Sequence, residues 1–287
     1  DLVLADHTLL TDIVGLEVLA EVGGDLRLAG LPQLTGWLAP PQLTGVGGSI
    51  VLEDLGSQAS IRGFDALEHV GGDIVLRRCG AFVSLAAFDV LQRIDGSLNV
   101  SDNPNLQSLE GLDQVTACGG LSVRDNPRLQ TLRVLGAITE LGDLHLEVLP
   151  DLQEVRLGPA THIDGGMTLR RVATLPSLLV ETIGGPVRIV DIPQASLPGL
   201  AQLREVGGLE LADSADLVDL SGLSELDQCH GDLQIHGQAA LTDLTGLHGV
   251  RRVEGDVVVM DNPNLGAAEV ESLIYAIDRI DGAIITD

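Results

Sequence analysis

Apolar residues recur along this chain with a period of about 24, each turn approximating D-L-x-V-x-D-N-P-x-L-x-x-L-x-G-L-x-x-L-x-x-V-G-G. Turns begin at Asp1, Asp25, Ser49, Asp73, Ser97, Gly120, Asp143, Gly166, Pro186, Gly208, Asp232 and Asp256, and a further strand opens at Ala283. The second and fourth positions are apolar in every turn, as in Leu26/Leu28, Ile50/Leu52, Ile74/Leu76, Leu98/Val100, Val187/Ile189 and Val257/Val259. Alternation with period two over a short segment predicts a strand with one buried face. Its return at fixed intervals predicts a repeat array rather than two ordinary domains.

More inward columns follow at fixed offsets. The tenth position carries Leu34, Phe82, Leu106, Leu129, Leu175 and Leu217; the thirteenth carries Trp37, Ile61, Leu85, Leu109 and Leu220. Like residues therefore stack on like from turn to turn, which is how a solenoid builds its core. The expected fold is all-β: a right-handed β-solenoid of about twelve turns, one repeat domain over residues 1–282 with a final strand at 283–287.

Corner residues have a chemistry of their own. Proline at the eighth position (Pro32, Pro104, Pro127, Pro150, Pro193, Pro263) fixes φ where the chain bends. Glycine pairs at the last corner, such as Gly47-Gly48 and Gly71-Gly72, are expected to supply φ > 0. The seventh position alternates between Asn103, Asn126 and Asn262 and mostly apolar residues, which predicts a broken ladder of inward amides satisfying buried backbone groups. Residues 267–280 depart from the period: Val270, Leu273, Ile274 and Ile277 lie on one helical face, giving a C-terminal capping helix. No counterpart precedes Asp1, which falls on the first position of a turn, so an upstream cap, further turns or another molecule is expected over Leu2 and Leu4. The turns from Gly166 to Gly207 are shorter and carry Pro176, Pro186 and Pro198, which predicts a bend or dent there.

Composition narrows the function. Sixteen basic residues, all arginine, face 42 acidic ones, and the net charge of −26 disfavours phosphate backbones and anionic lipid surfaces. No apolar run is long enough to span a bilayer. Cys79, Cys118 and Cys229 each fall in an inward column and are expected to be buried thiols, and the seven histidines share no metal-ligand spacing, so neither metal nor cofactor is implied. Asp6, Asp54, Asp102, Asp125, Asp191, Asp213 and Asp261 form an acidic column at the sixth position; turn formation ahead of Asn-Pro explains it better than calcium.

The run L-x-V-x-D-N-P-x-L-x-x-L-x-G-L before a Gly-Gly corner, clearest at 98–112, 121–135 and 257–265, resembles the receptor L-domain, which is related to leucine-rich repeats. In length, regularity and scarcity of disulfides the chain is similar to predicted secreted proteins and lipoproteins of GC-rich bacteria such as myxobacteria. The resemblance implies a secreted or cell-surface module, on the bacterial outer surface or in the periplasm, and it supplies no catalytic residues.

One distribution rises above background. The outward third, fifth and sixth positions of the first strand hold seven arginines against ten acids, so most of the negative charge lies elsewhere. With the aliphatics of the same face this suits a partner surface. The candidate residues are Arg27, Val51, Val75, Arg77, Arg78, Arg124, Arg170, Arg171 and Arg188. The function expected is non-enzymatic binding of a protein or glycan across this sheet. A structural subunit self-associating through its N-terminal turn is the alternative, and a polysaccharide-active enzyme a remote one.

Overall fold

A computed structural model of the chain describes residues 1–37, 39–57, 62–85, 88–132, 137–155, 157–158, 162–175 and 177–287. Ile61 of the thirteenth column, Pro176 and Leu135 at the end of one motif lie outside them, as does the Trp37 side chain. The chain forms two compact units, Asp1–Pro159 and Ala160–Asp287.

Each unit is a parallel β-solenoid. In the first, the strands Leu2–Ala5, Leu26–Ala29, Ile50–Glu53, Ile74–Arg77, Arg93–Ser101, Ala117–Arg124 and Glu140–Leu149 stack in sequence order. In the second, the stack runs Met167–Val172, Thr182–Val190, Glu205–Ala212, Leu233–His236, Val257–Met260 and Ile284–Thr286. Register follows the repeat, Leu26 opposite Ile50 and Ile50 opposite Ile74. The second and fourth positions are buried except in the first turn and the final strand, and Phe64 stacks on Phe88 with ring centroids 5.0 Å apart.

The seventh position is a ladder of hydrogen bonds wherever its residues are polar. Asn103 Oδ1 accepts the Cys79 N–H at 2.9 Å, Asn126 Oδ1 accepts the Asn103 N–H at 3.1 Å, and their amide nitrogens donate to Leu76 O and Val100 O. The second unit repeats this with residues that the Asn pattern alone does not single out: Ser214 accepts from Ile192 N–H, Gln238 from Ser214 N–H and Asn262 from Gln238 N–H. All five polar side chains are buried.

The sixth position has a backbone reason that the sequence reading missed. Asp6, Asp54, Arg78, Asp102, Asp125, Val148, Arg171, Asp191, Asp213 and Asp261 all have φ between +50° and +59°, and Gly30 and Gly237 occupy the same position at +62° and +67°. The left-handed bend is thus a property of the repeat, and Asp is favoured there because it tolerates that region better than most L-residues.

The corner glycines require a correction. None of the Gly-Gly pairs has positive φ; what they supply is room. A Cβ on Gly47 would lie 2.5 Å from Gly23 O, and one on Gly71 2.4 Å from Gly47 O. At Gly47 and Gly71 the stacked backbones come too close for a side chain.

The helix is shorter than its apolar period. Helix α1 spans Ala267–Ala276, with Leu273 and Ile277 buried, and Ile277 is already extended. Arg279–Ile280 pairs instead with Arg252–Val253, so strand pairing ends the helix before Ile280. α1 meets the Thr245–Leu247 3-10 turn and so covers that side of the last turns, while Ile284–Thr286 continues the strand stack beyond it with its side chains exposed.

Candidate functional site

The first-strand sheet places the candidate residues by register. In the first unit Glu53 lies opposite Arg77, Arg77 opposite Ser101, Ser101 opposite Arg124 and Arg124 opposite Glu147. The neighbouring outward column runs Arg27, Val51 and Val75, both valines half-buried.

These side chains meet at one carboxylate. Glu53, whose side chain is 18% exposed, accepts from Arg27 at 3.0 Å and from Arg78 at 2.7 Å, with Arg77 4.0 Å away. Arg78 also grips Asp54 with Nε and Nη2 at 2.7 and 2.8 Å, and Arg77 reaches Asp102 at 3.4 Å. The hydrogen bond from Arg78 holds the Asp54 carboxyl below the usual carboxylate range, and Asp54 first, then Glu53, push the Arg78 guanidinium further up. Sequence reasoning found the arginines but not this convergence, because the pairs form between turns about 24 residues apart.

In the second unit Arg188 Nε donates to Glu210 at 3.0 Å, His236 Nε2 lies 3.6 Å from the other oxygen of Glu210, and Arg171 pairs with Asp191 at 2.7 Å. Arg170 is exposed on Met167–Val172. Beside Arg188 the sheet is indented by a groove of about 320 Å³. Gly207, Gly208 and Gly231 leave its base without side chains, and Arg188, Glu210, Asp232 and Gln234 line it. The dent expected in the short turns also has a counterpart, a second cavity of about 330 Å³ lined by residues including Leu175, Gln194 and Pro198.

Other chemistry is sparse. Cys79, Cys118 and Cys229 are buried and unbridged, and burial pushes the Cys79 thiol up to about 12. Among the described residues no three His, Cys, Asp or Glu side chains are grouped to hold a metal ion, and no helix is long and apolar enough to cross a membrane. Compared with protein-family models and with curated proteins, the sequence matches none of them.

Proposed function

We propose that this chain is a non-enzymatic, secreted or cell-surface binding module of the receptor L-domain kind, holding a protein or glycan partner on its first-strand sheet. The observation that carries the reading is the pairing of charge on that face. In a chain of net charge −26, Arg27, Arg77 and Arg78 are matched against Glu53, Asp54 and Asp102 across successive turns. A partner covering this network buries groups that already have partners, which lowers the desolvation cost that unpaired acids would impose. Val51 and Val75 add apolar area between the charged groups.

The test is capture of ligands from a glycan array and from secreted proteins of the source, followed by binding measurements on variants. Val75→Arg and Arg77→Ala are expected to weaken the captured partner at least tenfold, whereas Asp113→Arg and Asp151→Arg, away from this sheet, leave it unchanged. Loss confined to the second pair would overturn the reading.

End-to-end self-association is a second reading. Leu2, Leu4 and Leu10 are only half-buried where Leu26, Leu28 and Leu34 of the next turn are buried, and Ile284 and Ile285 are 48% and 42% exposed. Sedimentation across a wide concentration range separates the two: self-association gives growth in mass that Ile284→Asp suppresses, and a constant monomer mass removes it.

A further inference from the structure

A second ladder runs through the first position of the turns. Asp1 Oδ1 accepts the Asp25 N–H at 2.9 Å, Asp25 the Ser49 N–H at 2.8 Å, Ser49 Oγ the Asp73 N–H at 3.0 Å and Asp73 the Ser97 N–H at 2.7 Å. The second unit does the same from Asp232 to Asp256 N–H at 2.9 Å and from Asp256 to Ala283 N–H at 2.8 Å. A carboxylate or a hydroxyl thus stands over each of these N–H groups.

The first position carries no side-chain acceptor at Gly120, Gly166, Pro186 and Gly208, and the gap at Gly208 leaves an N–H open. The first position ahead of Asp232 is Gly208, which has no side chain to offer, and among the described residues the Asp232 N–H has no other acceptor. Space for the absent group is present. A Cβ on Gly208 would meet only ordinary contacts, 3.6 Å to Asp232 O, 3.8 Å to Asp232 N and 3.8 Å to Pro186 Cβ, whereas one on neighbouring Gly207 would lie 2.2 Å from Gly184 O. The gap opens into the groove on the first-strand sheet, lined by Arg188, Glu210, Asp232 and Gln234.

We propose that this gap is a hydroxyl subsite for a neutral saccharide, whose ring oxygen substituent takes the place of the missing Asp or Ser side chain. The assignment rests on the reading of the first-strand sheet as a binding face and names what one part of it holds. Chemistry decides between the two groups that fill the occupied rungs. A carboxylate would meet Glu210 and Asp232 with Arg188 as the single cation in the lining, in a chain already at −26. A hydroxyl carries no charge, accepts from the Asp232 N–H and donates to a carboxylate. Size decides for a sugar over a protein surface. The groove is at the lower end of the ~300–1,000 Å³ usual for ligand sites, and a protein contact needs about 800 Å² on each partner. A pyranose brings several hydroxyls on one rigid ring, so a neighbouring hydroxyl reaches Glu210 or Gln234 without further ordering cost.

The test is an amide NMR titration of the isotope-labelled full chain with methyl β-D-glucopyranoside, methyl β-D-galactopyranoside and methyl α-D-mannopyranoside up to about 100 mM, well above a millimolar dissociation constant. At least one is expected to shift the Asp232 amide saturably. Gly208→Ser supplies the missing rung, so it is expected to keep the fold and weaken binding at least tenfold. Glu210→Gln is expected to weaken it at least threefold, and Gly266→Ser, in open space, to leave it unchanged. No saturable shift at Asp232, full affinity in Gly208→Ser, or tighter binding by sodium acetate or N-acetylserinamide than by every pyranoside overturns the assignment. Should the sugars fail while Val75→Arg still weakens the captured partner, this subsite is lost and the binding face stands.

Discussion

Asn126→Leu tests the buried ladder most sharply, because the column accepts leucine sterically at Leu31, Leu55 and Leu149, all fully buried. What the substitution removes is polar. Asn126 Oδ1 is the acceptor for Asn103 N–H at 3.1 Å, and Nδ2 donates to Val100 O at 3.0 Å and Arg124 O at 2.8 Å. Asn103 is 1% exposed, so its N–H would lose its acceptor out of reach of solvent, at a cost of ~1–3 kcal/mol. The two lost donations add ~0.5–1.5 kcal/mol each, and leucine burial returns ~1.5–3 kcal/mol. The expected net loss is about 2 kcal/mol. In a repeat array this loss is local. Urea unfolding should therefore be read together with native-state hydrogen exchange, in which the Asn103 amide exchanges at least tenfold faster while the Gln238 amide of the other unit is unchanged. A stability change below ~0.5 kcal/mol with unaltered exchange at Asn103 would refute the reasoning.

Three further outcomes are expected. Val148 is a β-branched residue at φ +52°, and Val148→Asn should stabilise the chain by about 1 kcal/mol in urea unfolding, the cost of holding an L-residue in the left-handed region. Cys79, its thiol raised to about 12 by burial, should resist thiol reagents at pH 8 in the native state and react fully in denaturant. The Asp54 carboxyl, lowered first by its hydrogen bond from Arg78, favours the folded state at neutral pH, and that contribution is lost as pH falls through its depressed folded value. Carboxyl NMR titration should place its midpoint below the ordinary ~3.9, moving up in Arg78→Ala.

The period made the strand columns legible, because burial on one face demands alternation whatever the neighbours are. It did not separate two reasons for glycine. Positive φ and close backbone stacking both exclude a Cβ, and at Gly47 and Gly71 only the stacked geometry shows that the second applies. The sixth position held a usable signal: Gly30 and Gly237 share it with seven aspartates, a pairing typical of the left-handed region, yet the acids alone drew a turn-forming explanation. Ser214 and Gln238 extend the amide ladder by backbone register rather than by residue type, so an Asn pattern could not find them. Helix α1 stops short of Ile280 because pairing with Arg252–Val253 outcompetes a helical period that continues in sequence. Of the candidate site, its residues were legible and their meeting at Glu53 was not, since that depends on side-chain directions between turns. The groove at Gly208 was hidden for a simpler reason: it is made by a side chain that is not there.

The most direct test of the binding face is arginine footprinting with phenylglyoxal, read by mass spectrometry with and without the captured partner. Arg27 and Arg77, 42% and 49% exposed on the sheet of the first unit, are expected to lose reactivity on binding, while Arg204 and Arg251, 60% and 74% exposed away from it, keep theirs. Protection of Arg204 and Arg251 with Arg27 and Arg77 still reactive would contradict the assignment of the partner to the first-strand sheet.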